Sequence, residues 1–342
     1  MTSPLRVLHL TGSPTSAFFD DLSRLYASDC LASVHDPALY EPVVAHVSPD
    51  GRWRFPSSLA EDDLASAPSV TLAEAVAHLG SLDVDVALPQ MFCLAGMTHY
   101  RALLDVLGIP YVGNRPDVMA LGAHKGRARA VVAAAGVDVP EGETLRAGQE
   151  PTLAPPVVVK PVDADNSVGV TLVRTPEEYP AALAAAWDHG PEALVERFVE
   201  PGREVRCGVV ERGDDLLCLP LEEYSLDAKP VREEADKIRR GDDGALALMA
   251  KDTPTVWIVD RDDPVCVPVW EAARACHVAL GCRDYSLFDF RIDPDGRPWF
   301  LEAGLYNSFA RQSVVATMAR ADGVELPELF ARAVDGALEP GR

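Results

Sequence analysis

VVVKPVDADNSVGV, from Val157 to Val170, and FDFRIDPDGRPWFLEAG, from Phe288 to Gly304, are the stretches on which the reading of this chain turns. The first reads as an apolar β-strand ending in Lys160, then a loop of small residues, then another strand. Such a unit hangs a lysine and a row of backbone N–H groups over an anion, which suits a polyphosphate. The second reads as two strands joined by the tight turn Asp293-Pro294-Asp295-Gly296, with Asp289 projecting from one strand and Glu302 from its partner. Two carboxylates brought together in this way suit Mg²⁺, a hard cation commonly shared with substrate phosphates. Both segments point to nucleotide chemistry.

Outward from these segments the chain reads as α/β. RVLHLTGSP (Arg6 to Pro14) runs from a short apolar strand into a small-residue turn, as at the start of an open parallel sheet. TLAEAVAHLG is helical in period, VDVALP reads as a strand, and HYRALLDVLG as a helix closed by Gly108 before a further strand, IPYVG. These elements predict an N-terminal open α/β lobe over residues 1–119. A second lobe, 120–203, starts with the Ala-rich helix carrying Lys125, crosses the proline-rich stretch Pro151 to Pro156 and holds the Lys160 strand. A third, 204–342, contains the strand CGVVE, a polar stretch from Glu222 to Gly244, the helix VWEAARACHVALG and the carboxylate hairpin.

With 342 residues, 48% of them hydrophobic, the chain is long enough for lobes that share a substantial core. Its net charge of -22 opposes loose binding to nucleic acid or to an anionic membrane, since both demand basic residues to neutralise phosphates. Small-molecule partners are expected instead. The seven cysteines are scattered without a CxxC pair and read as reduced, mostly buried thiols. No signal-peptide pattern and no apolar run long enough to span a bilayer is evident, so a cytoplasmic location is the default expectation.

Together the two opening stretches resemble the ATP-grasp superfamily and, within it, the D-alanine-D-alanine ligase branch. The likeness extends to LGIPYVGN (Leu107 to Asn114), ALGAHKGRARAVVAAAGVDVP with Lys125, LVERFVEPGREVRCGV (Leu194 to Val209) and SVVATMARADGVELPELF (Ser313 to Phe330), in the family's order and spacing. It implies an ATP-grasp architecture in which the second and third lobes sandwich ATP. By the resemblance, Lys160 and Lys125 contact the phosphates, and the loop Asp163 to Gly169 is the flap above them, with Asn166 and Ser167 at its serine positions. VERFVEPGRE resembles the interlobe linker, whose Glu196, backbone around Phe198 and Val199, and Glu204 hold the base edge and ribose. Lys237, in EEADKIRR, matches a lysine that reaches phosphate from a mobile loop. Asp289 and Glu302 match the ligands of Mg²⁺ or Mn²⁺. Dimers are common in the family, which makes a homodimer a further expectation. Each residue also has a plainer reading: Lys160 as a lysine snorkelling from a strand end, the acids as a surface hairpin, Lys237 as part of a solvated charge run.

The departures from the family gather where it recognises amino acids. GSPTSAFFDD (Gly12 to Asp21) has no clean match to the glutamate that holds the first substrate's ammonium, and Phe18 falls near that place. MFCLAGM (Met91 to Met97) replaces a motif of histidine, glycine and acidic residues. Leu287 replaces an arginine that supports the developing oxyanion, which leaves Arg291 or Arg311 to supply a donor. Gly304 stands in place of a metal-binding asparagine, leaving Asn307 or a water. The implied activity is an ATP-dependent carboxylate-amine ligase that works through an acyl phosphate and acts on amino acids or amines. The rewritten half points to specialised metabolite assembly. A true D-alanine-D-alanine ligase and a non-catalytic ATP-binding regulatory protein are the alternatives.

Overall fold

The computed structural model describes residues 3–164, 168–200, 202–225 and 255–339, and the backbone of 239–240 and 246–247. Three main sheets organise it. The first comprises β1 (Leu5–Gly12), β2 (Tyr40–Val47), β3 (Trp53–Arg54) and β4 (Val86–Pro89), ordered β3-β2-β1-β4. Central β1 is parallel to both β2 and β4 and is buried without a break from Val7 to Gly12, as a strand covered on both faces must be. Helices α1 (Ala17–Val34), α2 (Glu61–Ser66), α3 (Leu72–Leu79) and α4 (Arg101–Leu107) accompany this sheet. Ser16 caps α1 by accepting the Phe19 N–H, Thr71 and Glu74 form a capping box on α3, and Gly108 ends α4 at φ 66°.

A π-helical turn, Gly96–Tyr100, precedes α4. Glycine is required at its start, because a Cβ on Gly96 would come within 2.3 Å of the Met91 Cβ. The expected strand IPYVG shrinks to a single parallel bridge between Ala87 and Tyr111. Pro110 has no N–H to give a ladder, and Gly113, at φ 94°, turns the chain away.

His9, on β1, is 2% exposed, and its Nδ1 lies 3.1 Å from Gln90 Oε1. Burial pushes its imidazole down to about 4 from 6.5, only partly offset by that hydrogen bond. The folded state therefore refuses a proton that the unfolded chain takes up. Stability is lost as pH falls through this window, by about 3 kcal/mol once it is crossed. Thermal melts should show His9→Gln losing less melting temperature than the parent between about pH 7 and pH 4.

The second sheet is formed by β5 (Gly142–Arg146), β6 (Val157–Pro161), β7 (Thr171–Val173) and β8 (Glu192–Arg197), antiparallel in the order β5-β8-β6-β7. Two helices lead into it, α5 (Pro116–Ala123), which runs across the expected 119/120 boundary, and α6 (Lys125–Ala134). Val157, Val159 and Val195 form a core with Leu183 and Ala186 of α7 (Tyr179–Trp187). Strand alternation then turns Val158, Lys160 and Glu196 to the other face.

The third sheet holds β9 (Arg203–Arg212), β10 (Asp215–Cys218) and β11 (Glu222–Tyr224). A separate pair, β12 (Arg239–Arg240) and β13 (Leu246–Ala247), comes next in the chain, and β14 (Val256–Ile258), β15 (Tyr285–Ile292) and β16 (Pro298–Gly304) complete the sheet. Its antiparallel order is β14-β11-β9-β15-β16, with β10 also on β9. Helix α8 (Cys266–Leu280) lays Val269, Ala273, Cys276 and Leu280 into one core with Val205, Cys207, Phe288, Phe290 and Phe300. The last helices, α9 (Val314–Ala321) and α10 (Leu326–Ala337), return to the first sheet, where Phe330 packs edge-on to Tyr40 at 5.2 Å. All seven cysteines are buried, with no disulfide among them. No helix among the described residues is long and apolar enough to cross a membrane.

Candidate active site

The face of the third sheet opposite α8 carries the charged residues. Strand β9 alternates Val205, Cys207 and Val209 into the core with Glu204 and Arg206 on the other side. On β15, Phe288 and Phe290 enter the core, and Asp289 and Arg291 face away from it. Plain alternation along β16 would put Glu302 on the same side as buried Phe300. A bulge prevents this: the register passes from Phe290↔Phe300 to Asp289↔Glu302, so Leu301 is an extra residue and Glu302 swings to stand opposite Asp289. The turn joining these strands is closed by Asp293 O accepting from Gly296 N at 2.9 Å.

One cleft, between the second and third sheets, collects most of the residues that the sequence singled out. Lys125, Lys160, Glu196, Phe198, Val199, Glu204, Asp289, Arg291 and Glu302 all line it. Lys125 is the first residue of α6; its ammonium lies 3.5 Å from Glu302 Oε2 and donates to Ala164 O. Lys160 Nζ is 2.6 Å from Glu196 Oε2, and Arg129 Nε is 3.3 Å from the other oxygen, so this buried carboxylate is held between two cations. Glu204 pairs with Arg291 at 2.6 Å, and the Arg291 guanidinium lies over the Phe198 ring at 5.8 Å. The Phe198 N–H donates to Pro156 O at 3.0 Å. Val158 and Leu301, which sequence reasoning passed over, add apolar wall.

Other expected residues lie elsewhere. Arg311 is 67% exposed and pairs with Asp29 of α1, and it does not line the cleft. Asn307 is buried against a different cavity, with Tyr285 and Phe309. Arg291 stands at the linker end, bound to Glu204. Asn166, Ser167 and Lys237 lie outside the described residues.

The guanidinium that does stand at the carboxylate pair is Arg206. A row of charges crosses the sheet, Glu222↔Arg206↔Asp289↔Glu302, each pair in direct register on neighbouring strands. Arg206 Nε is 3.1 Å from Asp289 Oδ1, Nη1 is 3.8 Å from Glu222 Oε2, and the group lies over Tyr224 at 4.9 Å. Burial works against its charge, but Asp289, Tyr224, Glu222 and Glu302 hold its pKa well above the usual value. The adjoining row, Gly208↔Leu287↔Gly304, carries no charge. The alternation of REVRCGV was enough to place Arg206 on the face of Glu204, and that signal was missed.

Residues 137–335 match the family model described as the D-ala D-ala ligase C-terminus. This chain belongs to the D-alanine-D-alanine ligase family. It is 30% identical to the D-alanine-D-alanine ligase of Mycolicibacterium smegmatis over 342 aligned residues, which cover 90% of this chain and 89% of that one. It is also 30% identical to the vancomycin B-type resistance protein VanB of Enterococcus faecalis, over 75% of this chain and 74% of VanB. Among solved structures, the VanG D-Ala:D-Ser ligase of Enterococcus faecalis superposes with a TM-score of 0.79 at 22% identity, covering 98% and 99% of the two chains. The Bacillus anthracis D-alanine-D-alanine ligase complexed with ATP gives 0.70 at 19% identity, covering 98% and 97%. The protein is thus an ATP-dependent ligase of ATP-grasp fold that forms carbon-nitrogen bonds with ATP and Mg²⁺.

Its donor set fits that metal. Among the described residues no group of three or more His, Cys, Asp or Glu gathers as a closed cage. Asp289 and Glu302, paired across one hairpin, offer carboxylate oxygens from one side only. Mg²⁺ is held in this open manner when phosphates and water complete its coordination.

Proposed function

We propose that this ligase activates a carboxylate at the cleft bounded by Lys125, Lys160, Asp289 and Glu302. The observation that carries the reading is the convergence of both lysines and both carboxylates on one cleft, with Lys125 Nζ 3.5 Å from Glu302. A substrate carboxylate oxygen attacks the γ-phosphorus of ATP, ADP departs with the bridging oxygen, and an acyl phosphate results. An amine then attacks the acyl carbon, loses a proton, and expels phosphate with the carbon-oxygen bond pair. Lys125 and Lys160 neutralise the phosphate oxygens. Arg206 supplies positive charge beside the reacting carbonyl, the role for which Arg291 and Arg311 are poorly placed. Asp289 and Glu302 would hold Mg²⁺, which would supply further charge neutralisation at the phosphates.

The substrates are amino acids or amines other than a pair of D-alanines, and the product belongs to specialised metabolite assembly. The rewritten N-terminal segments support this, since MFCLAGM and Phe18 bring apolar groups to the substrate side. Synthesis of D-alanyl-D-alanine is the second reading, favoured by 30% identity to the mycobacterial enzyme across 90% of the chain. Incubation with ATP, Mg²⁺ and a panel of D- and L-amino acids, read by ADP release and product mass, tests the proposal. Full turnover with D-alanine alone establishes the second reading. Chelation of Mg²⁺ is expected to abolish ADP release, and added Mn²⁺ to restore it; turnover that survives a chelator would remove Asp289 and Glu302 from the metal role.

A further inference from the structure

Past the phosphate cleft the interlobe space opens into a second cavity of about 460 Å³, in the size range that takes drug-sized ligands. The two spaces adjoin: Ala164 and Val168 line both, and the chain that leaves Glu302 in the first supplies Ala303, Leu305 and Tyr306 to the second. Phe18, Phe92, Met97 and Met119 extend the apolar wall. Phe92 is set by ring contacts on two sides, 5.3 Å from Tyr26 and 5.3 Å from Tyr306. Among the described lining residues, Asp163 is the one carboxylate.

We propose that the carboxylate substrate of this ligase carries a bulky apolar group, aromatic or branched aliphatic, seated against the accessible faces of Phe18, Phe19, Leu94 and Tyr306 above the nearly buried Phe92 and Met119, while its carboxylate reaches the cleft at Glu302. This rests on the ligase reading above and adds the substrate class. A methyl group covers little of such a wall and leaves its apolar surface wet, whereas an aromatic or branched side chain removes that surface from water. Apolar pockets discriminate by about tenfold or more per missing methylene, so a strong preference over D-alanine follows.

The test uses the full chain with ATP, Mg²⁺ and hydroxylamine, which traps acyl phosphate as a hydroxamate. D- and L-phenylalanine, D- and L-leucine and 3-phenylpropionate are compared with D-alanine. At least one bulky carboxylate is expected to exceed D-alanine in kcat/KM by about tenfold or more. Equal or better turnover of D-alanine overturns the substrate class and leaves the ligase reading standing. Silence with every carboxylate, D-alanine included, overturns both. As a second measurement, Leu94→Trp, at a half-exposed position of the wall, narrows the cavity and is expected to lower the bulky-to-small ratio of kcat/KM by about tenfold. An unchanged ratio in a variant that melts like the parent overturns the proposed seat.

Discussion

Replacing Lys160 by alanine is expected to lower kcat/KM by about 10²–10³, the usual loss when one charged donor is removed from a transferring group. Lys160 is only 7% exposed, and its ammonium sits 2.6 Å from Glu196 Oε2. Its loss leaves Glu196 with Arg129 alone, so the variant should also lose roughly 3 kcal/mol of stability in a denaturant titration, the low end for breaking a buried pair. Lys160→Arg keeps the charge and separates the two effects: stability returns, but the planar guanidinium does not reproduce a point charge at the phosphate. Full activity in Lys160→Ala would take the phosphate role away from this residue.

The second large effect is expected at Arg206. Its guanidinium lies between Asp289 and Glu222 on a buried sheet face, in direct register with both. Alanine there should lower kcat by about 10² with little change in KM for ATP, because the lysines and the linker proposed to hold the nucleotide are untouched. Arg206→Lys should recover part of the loss. If the charge itself is what matters, adding Leu287→Arg to Arg206→Ala should also restore activity, since Leu287 lies on the same face in the adjoining row. A loss confined to KM, or no recovery in either rescue, would reduce Arg206 to a structural partner of Asp289.

Much of the nucleotide cleft was legible because its residues lie on regular strands. In VVVKP the apolar positions announce a buried strand, and the lone lysine at its end marks where that strand meets the cleft. In FDFRI the alternation of phenylalanines with Asp289 and Arg291 assigns a core face and a site face. The same alternation in REVRCGV held Arg206, but nothing local distinguishes it from a solvated arginine until β9 is laid beside β15. Arg291 and Arg311, both nearer to Asp289 in the sequence, are engaged elsewhere. The first is taken up by Glu204, and the second is drawn to the surface by Asp29 of α1.

The sequence by itself determined the α/β class, the Lys160 strand and the carboxylate hairpin, the lysines and carboxylates of the cleft, and the family. Periodicity, turn chemistry and short motifs are local, and each is written in consecutive residues. Tertiary structure alone decided three matters. The bulge at Leu301 brought Glu302 round to Asp289, the pairing of β9 with β15 set Arg206 between two acids, and the meeting of MFCLAGM, Phe18 and the chain after Glu302 made an apolar cavity. Each depends on register or on contact between segments far apart in the chain. A shift of one residue in pairing reverses which side chains share a face, and no local pattern records it.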